Sequence, residues 1–139
     1  MHQNNIEVQP LLDAALQARV KAYVPYSGFR VGAAFLMEDG EIITGCNIEN
    51  ASYGLSVCAE RVALWKAVSE GKKAFKALVV VAEGDKPVAP CGACRQTIME
   101  FAPDIPVYMY NTNGDYKIMQ MSELLPESFK ASDFWEEAQ

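Results

Sequence analysis

The sequence predicts an α/β protein, a mixed sheet with helices on its faces, and three observations predict it. Residues 10–24 keep a mostly helical rhythm of Leu11, Leu12, Ala15, Leu16, Arg19, Val20 and Tyr23. Phe29 to Met37 is a strongly apolar run, and Asp39-Gly40, a tight hairpin signal, returns the chain through Glu41 to Cys46 as an antiparallel strand. Beyond the hairpin, helical and strand patterns alternate, the order that layers helices over a sheet.

Each element has its own justification. Pro10 sits near the start of the first helix, and Pro25-Tyr26-Ser27-Gly28 breaks it. Gly45 to Tyr53 is polar and unlike a core element. Ala59 to Glu70 reads as a helix with Val62, Trp65 and Val68 in an apolar row, stopped by Gly71. Ala77 to Ala82 is a short β-branched run typical of a buried strand. A loop to Pro90, a helix from Gly92 to Phe101 and a strand from Val107 to Tyr110 follow. Asn113-Gly114 turns the chain into Tyr116 to Met121, and a Ser122-led turn with Leu124 and Leu125 precedes Pro126 and a charged tail.

At 139 residues, half of them hydrophobic, the chain is expected to form one domain over 1–139, with 1–9 and 130–139 as peripheral termini. The net charge is −6 and no basic run exceeds Lys72-Lys73, which argues against nucleic-acid and anionic-membrane partners. Met1 to Pro10 is polar, and no apolar run approaches the ~18 residues of a membrane span. The expected location is therefore cytoplasmic, where cysteines favour metal or redox use over disulfides.

Chemistry concentrates in Cys58-Ala59-Glu60 and Pro90-Cys91-Gly92-Ala93-Cys94, which together supply three thiolates and a carboxylate. Zinc favours sulfur ligands in tetrahedral array, and three protein ligands leave a fourth position open for water or substrate. Cys91 and Cys94 are three apart, so a helix from Gly92 places them on neighbouring turns of one face. Cys58 and Glu60 are two apart and share a site only if a helix points its first turn at the metal. Two helix N-termini then converge, and their partial positive charge favours thiolates. Two plainer readings stand beside this one: Cys46 as fourth ligand of a closed structural site, or Cys91 and Cys94 as a redox pair. Glu60 alone would be an ordinary first-turn carboxylate, but two positions after a metal-binding cysteine it is placed for proton transfer. Zinc with three thiolates carries net −1, so Arg61 is expected to withdraw charge from the sulfurs and keep the metal's water acidic. His2, the only histidine, stands in a polar terminus with no expected ligand role.

These residues resemble the cytidine deaminases, specifically the short-chain, three-cysteine, homotetrameric type. The resemblance is carried by Cys58-Ala59-Glu60-Arg61 and Pro90-Cys91-Gly92-Ala93-Cys94-Arg95-Gln96. It extends to Pro25-Tyr26-Ser27-Gly28-Phe29-Arg30-Val31-Gly32-Ala33-Ala34, Gly45-Cys46-Asn47-Ile48-Glu49-Asn50-Ala51-Ser52-Tyr53 and Leu124-Leu125-Pro126-Glu127-Ser128-Phe129. It implies a three-layer α/β/α fold with a mixed five-stranded sheet and one Zn2+ per chain, held by Cys58, Cys91 and Cys94. The implied reaction is hydrolysis of cytidine and 2'-deoxycytidine to uridine and 2'-deoxyuridine with release of ammonia, in pyrimidine salvage. Glu60 would protonate N3 of cytosine and pass a proton to the departing ammonia. Asn47 and Glu49 would hydrogen-bond the sugar 3'-hydroxyl, and backbone groups at Ala59 and Ala89 would hold the base edge and amino group. Phe29 would lie against the nucleoside within its own subunit. Phe129, Ala51 and Tyr53 would reach it from neighbouring subunits of a homotetramer.

The departures are mild. Arg30 stands where many relatives carry proline, Val57 precedes the first cysteine, and the tail from Lys130 to Gln139 has no assigned role. A deaminase of a cytosine-containing antibiotic shares the zinc frame, but the Asn47-Ile48-Glu49-Asn50 segment favours a nucleoside. A polynucleotide-editing enzyme would need a basic groove that this acidic chain does not show. A non-catalytic zinc module would have no need of Glu60.

Overall fold

A computed structural model describes residues 6–135; His2 and the last residues of the tail lie outside them. The chain runs α1 (Val8–Val20), β1 (Val31–Met37), β2 (Ile42–Cys46), α2 (Ala59–Ser69), β3 (Phe75–Ala82), α3 (Gly92–Phe101), β4 (Pro106–Asn111), β5 (Tyr116–Gln120) and the short α4 (Met121–Leu124), with single 3₁₀ turns at Tyr53–Leu55 and Ala131–Asp133. The strands form one mixed sheet in the order β2-β1-β3-β4-β5. β1 pairs antiparallel with both β2 and β3, β3 and β4 are parallel, and β5 returns antiparallel to β4. The parallel pair is the one that needs a crossover, and α3 supplies it.

Two apolar layers, one on each side of the sheet, make the three-layer α/β/α arrangement. On one side α1 sets Leu11 and Ala15 against Ala34, Ala77, Val79, Val81 and Tyr108. On the other, Ala59, Ala63, Leu64 and Ala67 of α2 and Ile98 of α3 meet Phe35, Leu78, Val80 and Val107. β3 is buried on both faces, which is why its sequence is a continuous apolar run rather than an alternation. Among the described residues no helix is long and apolar enough to cross a membrane.

The element boundaries follow from local chemistry. Helix α1 begins two residues before Pro10 and ends at Val20, short of the expected residue 24, because Tyr23 instead pairs its backbone with the strand-like segment at Ile48. Phe29 and Arg30 fall outside β1, since the Phe29 amide donates to the Ser27 hydroxyl rather than to a neighbouring strand. Gly71 closes α2 as expected: at φ 83° it lets its own N–H reach the Val68 carbonyl and that of Lys72 reach Ala67.

The apolar row Val62, Trp65 and Val68 does not form the core face of α2. The buried stripe is Ala59, Glu60, Ala63, Leu64 and Ala67, and Trp65 is exposed. The reason is how close the helix lies to the sheet. A methyl group at Gly45 of β2 would sit 2.5 Å from the Ala63 nitrogen and 2.6 Å from the Ala59 carbonyl oxygen, both backbone atoms. At that separation the positions facing Gly45 must be small, which Ala59 and Ala63 are, and this turns the Ala59, Ala63 and Ala67 side of the helix to the sheet and Trp65 away from it.

Gly45→Ala is expected to lift the first turn of α2 from β2, with a loss of about 1–3 kcal/mol from overpacking. A lower melting temperature together with less bound zinc would show that this contact seats the metal-binding end of the helix; unchanged zinc retention would show that it does not.

Candidate metal centre and active site

The three cysteines lie where the sequence reading places them, at the starts of two helices that converge. Cys58 is the residue before α2 and Cys91 the residue before α3, both in extended conformation, and Cys94 lies in the first turn of α3. Their sulfurs all fall within 4.8 Å of one another, with Cys58 and Cys91 3.6 Å apart. Tetrahedral zinc at ~2.3 Å from each sulfur requires sulfurs roughly 3.8 Å apart, so the trio fits that ion. Among the described residues it is the one such group, and Cys46, at the end of β2, is outside it. The closed four-cysteine alternative therefore lacks its fourth ligand. Cys94 is buried and Cys91 exposed, so the site is open on one side.

The surroundings favour the anion at Cys58 and oppose it at Cys94. Cys58 is pushed down to about 5, first by a hydrogen bond from the Cys94 thiol and then by Arg61. The same bond, together with burial, pushes Cys94 up. Arg61 donates from its terminal nitrogen to the Cys58 sulfur at 3.5 Å, and its guanidinium sits 5.8 Å from the Trp65 ring centre. Trp65 and Cys58 thus hold Arg61 from two sides.

Glu60, in the first turn of α2, is 3% exposed. Burial, and after it the charge on Cys58, raise its carboxyl to about 7. A carboxyl that titrates near neutrality both takes and gives a proton at working pH.

A second group forms beside the first. Asn47 accepts from the Val31 amide at 2.9 Å and donates to the Phe29 carbonyl at 2.8 Å. Glu49 accepts from the Tyr26 and Ser27 amides at 3.0 and 3.1 Å, and from the Ser27 hydroxyl. The hydroxyl bond is the chief cause of a carboxyl held below its usual range. Glu49 and Tyr53 line a cavity of about 290 Å3 with Tyr26, Ser27 and Ser56. Paired backbone bonds between Ile48 and Val57, at 3.0 and 2.9 Å, tie this segment to the residue just before Cys58.

Ala59 is buried at the start of α2, and Ala89 is exposed just before Pro90. Phe29, Ala51, Tyr53 and Phe129 are exposed, the last on a separate C-terminal segment. Sequence reasoning gave no role to three residues that position these groups. Ser27 holds Glu49, Arg95 donates to the Pro90 and Leu124 carbonyls at 2.8 Å each, and Gln96 donates to the Phe129 carbonyl at 2.8 Å. All three stand inside the quoted motifs, but their partners are 22, 29 and 33 residues away.

Three sulfurs able to hold a metal ion beside a buried carboxyl form the pattern of a hydrolytic metalloenzyme rather than of a structural metal knot. The model of the cytidine and deoxycytidylate deaminase zinc-binding region matches residues 6–110. The chain is 57% identical over 126 residues to a cytidine deaminase of Halalkalibacterium halodurans, covering 90% of this chain and 96% of that one. It is 52% identical over 129 residues to one from Sporosarcina psychrophila, covering 92% and 95%. A crystal structure of cytidine deaminase from Burkholderia pseudomallei superposes with a TM-score of 0.87 at 47% identity, over 89% of this chain and all (100%) of that one. The chain belongs to the cytidine deaminase family.

Three substitutions test the metal centre. Cys46→Ser should retain about one zinc per chain, whereas Cys94→Ser should lose it. Arg61→Gln should weaken zinc retention about 10–100-fold, the usual effect of removing a partner that orients a ligand, as read by competition with a chromophoric chelator.

Proposed function

We propose that this chain, as a single domain over residues 1–139, hydrolyses cytidine and 2'-deoxycytidine to uridine and 2'-deoxyuridine with release of ammonia, in cytoplasmic pyrimidine salvage. The observation that carries the proposal is a carboxyl, Glu60, buried in the first turn of the helix that begins at Cys58, beside three converging sulfurs. Zinc bound by Cys58, Cys91 and Cys94 would supply Lewis-acid activation of a water at its open position.

The chain's own residues supply the rest. Glu60 takes the proton that water gives up on adding to C4 and delivers it to N3 of the ring. It then moves the remaining hydroxyl proton to the amino nitrogen, which leaves as ammonia, and the carboxylate ends as it began. Arg61, donating to the Cys58 sulfur, offsets the negative charge of three thiolates. Backbone groups at Ala59 and Ala89 hold the base edge and amino group.

The sugar site follows from the bonds that remain unused. Asn47 keeps one N–H after binding Phe29, and Glu49 keeps lone-pair capacity after its three bonds to Tyr26 and Ser27. Together they offer a donor and a charged acceptor to one hydroxyl group. Phe29, anchored through both its amide and its carbonyl, has an exposed ring that would lie against the nucleoside.

Assembly completes the pocket. Tyr53 and Phe129 are 74% and 64% exposed, which supports their use by a neighbouring subunit rather than by their own. A homotetramer would also cover Ile48, Leu55 and Trp65, exposed apolar side chains around a single hollow.

The direct test is the fall in ultraviolet absorbance of cytidine on adding the protein, beside its Glu60→Ala variant, with zinc measured in both. Wild-type turnover is expected, with a loss of about 10²–10⁴-fold in the variant at equal zinc content. Full zinc with no turnover by the wild type overturns the nucleoside assignment. In a dilution series, specific activity should fall as the protein dissociates to monomers; constant activity in monomers would remove the cross-subunit residues from the site.

A further inference from the structure

The tail beyond Phe129 has no role in the chemistry described so far, yet it folds back onto the aromatic ring assigned to the neighbouring subunit's pocket. The Lys130 amide donates to the Asp133 carboxylate at 2.8 Å, and the Asp133 amide returns to the Lys130 carbonyl at 2.9 Å. The amides of Phe134 and Trp135 both close on the Ala131 carbonyl, at 3.1 and 2.7 Å. This one turn reverses the chain and brings Phe134 against Phe129. The two rings are stacked, 5.6 Å between centres and only 9° from parallel.

The other end of the segment is fixed independently. Gln96 of α3 holds the Phe129 carbonyl, and Arg95 holds that of Leu124 while also binding Pro90, next to the metal-binding Cys91. Glu127 between them has φ 53°, the one non-glycine residue among those described in the left-handed region. A conformation of that kind persists where its surroundings impose it. The backbone of Phe129 is therefore held from α3, and Phe134 stacks on one face of its ring.

We propose that Phe134 is a positioning residue for pyrimidine binding, backing Phe129 so that Phe134, Phe129 and the base of the neighbouring site stack in three layers. The proposal rests on the reading that Phe129 stacks on the pyrimidine. With one face against Phe134, Phe129 is still 64% exposed, which leaves its other face for the base. An unbacked exposed phenylalanine samples several rotamers and loses that freedom when it binds. A ring already stacked in place loses less, so the contribution appears as affinity. The contact is present in both ground and transition states, so it should act on KM and not on kcat.

Steady-state kinetics on cytidine with the intact assembly test this. Phe134→Ala should raise KM about fivefold, the scale of one aromatic pair, with kcat within about twofold. Phe134→Tyr should restore KM. Asp133→Ala, which loosens the turn without touching either ring, should shift KM in the same direction. In a Phe129→Ala background, Phe134→Ala should add nothing. A raised KM for Phe129→Ala with an unchanged KM for Phe134→Ala would overturn the proposal and leave the Phe129 reading standing. An unchanged KM for Phe129→Ala would overturn that reading and the proposal with it. A Phe134→Ala protein that sediments as smaller species and loses kcat and KM together would assign Phe134 to assembly instead.

Discussion

Two helices begin at cysteines, and both beginnings must reach one point to within the tolerance of a zinc–sulfur bond. Much of the surrounding structure serves that requirement. Gly45 of β2 admits the backbone of α2 at 2.5 Å from where a methyl group would stand, and the inner face of α2 is accordingly alanine-rich. On the other side of the three sulfurs α3 bridges the parallel pair β3 and β4, so it follows the most deeply buried strand in the sheet. Both helix dipoles then point their positive ends at the sulfurs, and Arg61 adds a full charge.

The same closeness sets the state of Glu60. It lies on the inner face of α2, where water is excluded, and burial is the largest cause of its raised pKa. A first-turn carboxylate on the outer face would be stabilised as the anion by the helix dipole and would titrate well below neutrality. Which face of the helix meets the sheet thus decides whether this residue is a surface charge or a group suited to proton transfer.

Around the metal centre, side chains that could bind substrate also hold the loops together. Asn47 and Glu49 secure the backbone from Tyr26 to Val31, and only their leftover capacity faces outward. A sugar hydroxyl would meet groups already fixed in place, which lowers the ordering cost of binding. The C-terminal segment follows the same logic, with Arg95 and Gln96 of α3 holding a strand of irregular backbone that ends in an exposed aromatic pair.

The sequence alone determined the order of helices and strands, the hairpin at Asp39-Gly40, the glycine stop at Gly71 and the three sulfurs with their adjacent carboxylate. Each of these is local: periodicity, turn chemistry and the spacing of ligands on a helix are properties of a few consecutive residues. Only the tertiary structure decided which side of α2 is buried, so that Trp65 lies outside and Glu60 inside. It also decided that Asn47, Glu49, Ser27, Arg95 and Gln96 act as clamps, and that the tail returns Phe134 to Phe129. Burial and hydrogen-bond pairing across tens of residues depend on how closely the layers approach. That distance is fixed by the packed chain as a whole, and no short window of sequence contains it.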